Sequence, residues 1–169
     1  MQNMTTFTLP FFGELNHSNL NDYYDVEIDF GGYKLQIDLN FEHKVIDINR
    51  LVAVKDFLGQ INNFDKINKE RIKQDYLDES CDTVKTYVEY FIEDNDEEEL
   101  LPFIAYEDKT LSIEQKLVNV FKLVRLGLYP DSIERFATFD YTVDRKLTDD
   151  LAVIFTDQLA KMDYMTLES

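Results

Sequence analysis

Two stretches of strict alternation carry the first structural signal. Residues 23–30 read Tyr-Tyr-Asp-Val-Glu-Ile-Asp-Phe and residues 33–40 read Tyr-Lys-Leu-Gln-Ile-Asp-Leu-Asn, with Gly31-Gly32 between them. A two-residue turn of this kind needs positive φ at both positions, which glycine adopts without steric cost, so the segment predicts a β-hairpin. Pairing Phe30 with Tyr33 sets Ile28 opposite Leu35, Val26 opposite Ile37 and Tyr24 opposite Leu39 on one apolar side. The other side carries Asp29 opposite Lys34, Glu27 opposite Gln36 and Asp25 opposite Asp38, and is expected to be solvated and acidic. Upstream, residues 7–9 predict a short edge strand that stops at Pro10, which has no N–H to give to a ladder.

From about Asp47 the period becomes helical. Leu51, Val54, Leu58 and Ile61, with Phe57 beside them, recur at three and four residues and form one apolar stripe. Asn62 or Asn63 is placed to end that helix and cap a second one reaching about Leu77, striped by Phe64, Ile67, Ile72 and Tyr76. Asp82 is placed to cap a third, where Val84, Tyr87, Val88, Phe91 and Ile92 fit the i, i+3, i+4, i+7, i+8 pattern. Residues 93–99 are acidic except for Asn95, and Pro102 is expected to close the helical block. Ser112 and Gln115 have capping-box spacing, but the β-branched residues among 118–124 favour a strand lasting to Leu128, preceded by at most a short helical lead-in. A turn at 129–132 and strands at 136–141, 151–156 and 162–166 complete the chain. Strands, then about three helices, then a meander predict an α+β fold. Its sheet is mostly antiparallel, the helices lie on one face, and residues 1–169 form a single domain.

Composition changes this picture in one respect. Hydrophobic residues make up 44% and aromatic residues 14%, enough burial to offset chain entropy, yet 34 acidic residues against 17 basic ones give a net charge of -17. Nucleic-acid affinity comes largely from Lys and Arg neutralising phosphates, so direct DNA or RNA binding is disfavoured, as is an anionic membrane surface. Residues 1–10 show no basic start followed by an apolar run, and no apolar stretch approaches the roughly 18 residues of a membrane span. The expectation is a cytoplasmic protein. The excess acid is uneven: residues 51–111 hold 16 acidic and 7 basic groups, whereas residues 112–169 hold 10 and 7.

Candidate chemistry is sparse. Cys81 is the only cysteine, so neither an intrachain disulfide nor a cysteine-rich zinc site is possible, and its neighbours Glu79 and Asp82 are expected to suppress its thiolate. The sequence spacing around His17 and His43 supplies neither a metal-ligand set nor a catalytic pair, so surface or packing roles are expected. Asp29 or Asp38 followed by Glu42-His43-Lys44 has the acid-then-Glu-x-Lys spacing of metal-dependent nucleases, but the chain lacks the basic approach surface such an enzyme needs. Two acidic clusters remain. Asp25, Glu27 and Asp38 share one hairpin face, and Asp94, Asp96, Glu97, Glu98 and Glu99 follow the third helix without the glycine of a calcium loop. At a helix C-terminus that second run is electrostatically unfavourable and predicts fraying.

The segments Leu9-Pro10-Phe11-Phe12-Gly13, Tyr24-Asp25-Val26-Glu27 through Leu39-Asn40-Phe41, Val124-Arg125-Leu126-Gly127-Leu128-Tyr129-Pro130-Asp131, Phe139-Asp140-Tyr141 and Asp163-Tyr164-Met165-Thr166-Leu167-Glu168-Ser169 resemble an uncharacterised bacterial family of small acidic domains. Its members are similar in size and acidity to the immunity proteins encoded beside secreted bacterial toxins. The family has no assigned reaction, so the resemblance implies no site residues and no cofactor.

The expectation that follows is a non-enzymatic protein-binding module. It would sequester a basic protein partner, such as a toxin nuclease, through Asp25, Glu27 and Asp38 first and residues 94–99 second. The alternatives are a small enzyme whose carboxylates converge from distant positions, and a housekeeping domain whose acidity serves solubility.

Overall fold

The computed structural model describes residues 5–169; residues 1–4, part of the stretch 1–10 in which no basic start and apolar run is seen, lie outside the described residues. Its first element is a small hairpin of β1 (Thr6–Leu9) and β2 (Gly13–Asn16), a two-stranded sheet of its own. Residues 7–9 are thus a strand, but not part of the main sheet, and β2 leaves no signal because Leu15 is its only apolar residue. β3 (Tyr23–Phe30) and β4 (Tyr33–Asn40) follow in the register their alternation dictates, with Phe30 against Tyr33, Ile28 against Leu35 and Asp25 against Asp38. Gly31 and Gly32 take φ of 59° and 88°, where a β-carbon would be strained.

Five helices follow among the described residues where the pattern predicts about three: α1 (Ile48–Leu58), α2 (Ile61–Leu77), α3 (Thr83–Asp94), α4 (Glu97–Ile104) and α5 (Ile113–Val118). Asp47 caps α1 by accepting from the Asn49 N–H. Gln60, rather than Asn62 or Asn63, occupies the N-cap of α2. Asp82 holds the cap position of α3 without a capping bond. The bond comes instead from Asp75 on α2, which accepts from the Val84 N–H at 2.8 Å and so ties the two helices together. Pro102 lies inside α4 instead of ending the block, because Asp96 and Glu99 form a reciprocal capping box that starts a new helix ahead of it. The capping box of Ser112 and Gln115 likewise holds Ile113–Val118 helical, so the expected strand begins only at Lys122.

β5 (Lys122–Leu128), β6 (Ala137–Thr142), β7 (Leu151–Thr156) and β8 (Met162–Glu168) form the meander. β4 pairs with β5 in parallel, and this joins hairpin and meander into one open six-stranded sheet ordered β3-β4-β5-β6-β7-β8. The fold is α+β, and the sheet is mostly but not wholly antiparallel. A parallel pair needs a long crossover, which residues 41–121 supply.

Alternation assigns the two faces of the sheet. Leu35, Ile37, Leu39, Leu126, Leu128, Phe139 and Tyr141 share the face that meets the helices, all of them buried. Phe57 of α1 packs its ring 5.2 Å from Phe136 and 6.0 Å from Phe139, and Tyr87 of α3 lies 4.7 Å from Phe121. Tyr141 donates to Asp65 of α2 at 3.0 Å. Arg50 of α1 stitches the layers further, donating to the carbonyls of Pro130 and Ser132 and to Gln158 Oε1.

On the opposite face, Asp38 pairs across the parallel seam with Gly127, and the Arg125 side chain lies over that glycine. A β-carbon at Gly127 would stand 2.7 Å from Arg125 Nη2 and 3.3 Å from Asp38 Oδ1. We expect Gly127→Ala to destabilise the fold by about 1–3 kcal/mol through overpacking. Gly59→Ala, at an ordinary αR φ with no contact closer than 3.4 Å, should be neutral or stabilising by up to about 1 kcal/mol. Urea unfolding of the two variants beside the parent checks both signs.

Candidate functional site

The face of the sheet turned away from the helices carries the charged residues. β4 and β5 bring Asp38 and Arg125 together, and β6 adds Asp140 from the far side, in register with Arg125. Arg125 Nε donates to Asp38 Oδ2 at 2.7 Å and Nη2 to Asp38 Oδ1 at 3.0 Å, a bidentate fork, while Nη1 reaches Asp140 Oδ2 at 3.2 Å. Asn40 adds a 2.6 Å bond to Asp38 Oδ1. Asp38 is fully buried, 0% exposed, and Asp140 nearly so. Burial works against the charge on Arg125, but the hydrogen bonds it donates to Asp38 and Tyr129 and the two carboxylate charges outweigh it and raise its pKa. At Asp140 burial wins and pushes the carboxyl up, although Arg125 pulls the other way.

Beside this triad lies a hollow of about 440 Å³. Lys34 from the hairpin, Lys122 and Arg125 from β5, Asp140 from β6, and Arg145 and Lys146 from the β6–β7 connection line it. Lys34 is held by Asp29 at 2.8 Å and Glu27 at 4.0 Å. Lys122 Nζ sits 6.0 Å from the centre of the Tyr33 ring.

The acidic residues singled out from the sequence divide three ways. Asp25 and Glu27 stand exposed on β3, at one edge of the sheet, with Asp29 in the same row. Asp38 departs from the expectation of a solvated face, because Arg125 pairs with it and covers the carboxylate that stands opposite Asp25. Asp94, Asp96, Glu97, Glu98 and Glu99 belong to the helical layer at the α3–α4 junction, and the structure does not bring them to the strip. The fraying expected there is corrected as well: Asp96 and Glu99 cap α4 and Glu97 and Glu98 occupy its first turn, where the helix dipole favours negative charge.

Other candidates have local explanations. Asp131 holds the turn after β4, accepting from the Glu42 N–H at 2.8 Å and lying 3.3 Å from His43 Nδ1. Among the described residues no three His, Cys, Asp or Glu side chains converge to hold a metal. The backbone of His17 bonds to Thr5 and Ile46 and anchors the small hairpin. Burial raises the Cys81 thiol, helped by Asp78 and Asp75 rather than by the sequence neighbours Glu79 and Asp82. Arg125, Asp140, Lys122, Arg145 and Lys146 escape sequence reasoning. The signal that points to them is the near-balanced charge of residues 112–169 in a chain otherwise heavily acidic.

No protein-family model, curated protein or solved structure matches the chain. No helix among the described residues is long and apolar enough to cross a membrane.

Two outcomes test the triad. Arg125→Met strips Asp38 of its counter-charge, and removing one partner of a buried pair costs about 3–5 kcal/mol, readable as a lowered urea midpoint. Asp140→Asn isolates a titration. Because the folded-state pKa of Asp140 is raised, its contribution to stability is full below the unfolded value, near 3.8, and is lost as pH rises through the folded value. The parent should therefore lose stability relative to Asp140→Asn as pH climbs above 3.8, and equal pH slopes of Tm for the two proteins would contradict this assignment.

Proposed function

We propose that the protein is a non-enzymatic, cytoplasmic binding module of the immunity type, which captures a basic bacterial protein at the β3 edge of its sheet. The observation that carries this reading is the composition of that edge. β3 alternates exposed Tyr23, Asp25, Glu27 and Asp29 with half-buried Tyr24, Val26 and Ile28, and pairs with a neighbour on one side only. A partner strand added there gains main-chain hydrogen bonds and covers the half-buried apolar row, while its Lys or Arg side chains fall opposite the carboxylates. Among the described residues Lys34 is the one cation within 4.0 Å of this acidic row, so the strip keeps negative charge for steering. The run at residues 94–99 ranks second, since its Asp96 and Glu99 already serve α4. Asp38 drops out of the contact surface and acts from beneath it, by fixing the strand that supports β3.

A second reading has one observation in its favour. Asp38 and Asp140, far apart in sequence, converge on Arg125 beside a hollow, as a carboxylate enzyme assembled from distant positions requires. Both carboxylates are engaged by the guanidinium, and the binding reading is favoured for that reason.

Capture from the native host on immobilised protein, at about 50 mM and about 500 mM salt, tests the first reading, since steering between opposite charges is screened at the higher value. A basic protein should be retained at low salt and lost at high salt, and Asp25→Lys/Glu27→Lys should abolish its capture with the fold intact. Retention of the same partner by that double variant would refute the edge as the docking site.

A further inference from the structure

We propose that the hollow on the outer sheet face is a binding site for a small phosphomonoester. In a chain with 34 acidic and 17 basic residues, five cations border one cavity: Lys34, Lys122, Arg125, Arg145 and Lys146. Two of them are engaged, Lys34 by Asp29 and Glu27 and Arg125 by Asp38 and Asp140. The other three have no carboxylate of the described residues within 4.0 Å. Three cations on one concave surface repel one another, and the arrangement is relieved by a ligand carrying more than one negative charge.

The acids that also face the hollow do not cancel this. Asp140 is bonded to Arg125, Glu27 is 4.0 Å from Lys34, and Asp144 accepts from the Lys146 backbone N–H at 2.7 Å, ordering the loop that presents Arg145 and Lys146. Arg125 is committed to the two aspartates by three N–H bonds and also bonds Tyr129, so Lys122, Arg145 and Lys146 are the cations that would meet the ligand directly.

Size and walls choose among anions. A volume of about 440 Å³ falls within the range of small-molecule sites and exceeds what a bare phosphate fills. Val124 and Leu151, both only part-buried, supply an apolar wall for an attached organic group. A monocarboxylate would need one cation rather than three. A nucleic-acid strand would meet the field of a chain carrying -17, which leaves a compact dianion as the fitting ligand.

The test is calorimetric titration of the intact protein with ribose 5-phosphate, inorganic phosphate and acetate at matched ionic strength. Ribose 5-phosphate should saturate with Kd below about 1 mM, inorganic phosphate should bind more weakly, and acetate should not saturate. Lys122→Gln/Lys146→Gln should weaken ribose 5-phosphate by about tenfold or more, while Lys161→Gln, away from the hollow, should match the parent. An unchanged urea midpoint in the double variant shows that the loss is not unfolding. Absence of saturation at about 10 mM, saturation by inorganic phosphate alone, or equal binding by parent and double variant would each overturn the proposal. The single Asp25→Lys protein, changed at the β3 edge but outside the lining of the hollow, should still bind ribose 5-phosphate, so the two proposals fail separately.

Discussion

The bidentate pair between Arg125 and Asp38 is the interaction on which the sheet depends. Every other junction in the six-stranded sheet is antiparallel and links strands consecutive in sequence. The β4–β5 seam alone must be closed by strands separated by the whole helical block, and parallel pairing is slightly less stable per residue. Arg125 spans that seam with three hydrogen bonds to carboxylates on the strands either side of its own. Gly127 makes the geometry possible, since only a residue without a β-carbon leaves the guanidinium room to lie flat across the seam. Buried ionic groups are weak sources of net stability but strong sources of registry, because any slip strands a charge without its partner.

From that seam the two faces take different roles. The inner face is a continuous apolar surface, and the helices are fastened to it by a few directional contacts at its margins: Arg50 to the β5–β6 turn and to Gln158, Tyr141 to Asp65, and Tyr87 to Thr142 and the Val143 N–H. Burial pushes the Tyr87 hydroxyl up to about 12, so it keeps its proton throughout the physiological range. The outer face is polar and split by charge sign. Carboxylates occupy the β3 edge, and cations gather around the hollow beside β5 and β6.

What the sequence made legible follows from the range of each signal. The β3–β4 hairpin could be read to the residue, because two glycines and eight alternating positions per strand specify register locally. α3 could be read because its apolar stripe is complete. The α4 capping box was present in the letters but hidden inside an acidic run whose charge suggested solvation instead. The parallel seam was not legible, since nothing in residues 36–39 or 125–128 marks them as partners; in a balanced strand Arg125 reads as one more exposed basic residue. Asp38 illustrates the same limit. Its alternation placed it correctly on the outer face, yet its burial comes from a side chain contributed by a distant strand.

The placement of the helical block within the sheet has a further consequence, in the entropy of chain closure. Residues 41–121 form one connection between adjacent strands, and the entropic penalty of closing a connection rises only with the logarithm of its length, about 0.6 kcal/mol per doubling. Helices added to or removed from the outer part of that block therefore change the closure term little, whereas the few atoms at the seam admit almost no change. The architecture is tolerant in length where most of its residues lie and intolerant at one guanidinium, one buried carboxylate and one glycine. Divergence in this fold is expected to accumulate in the connection and to spare the joint.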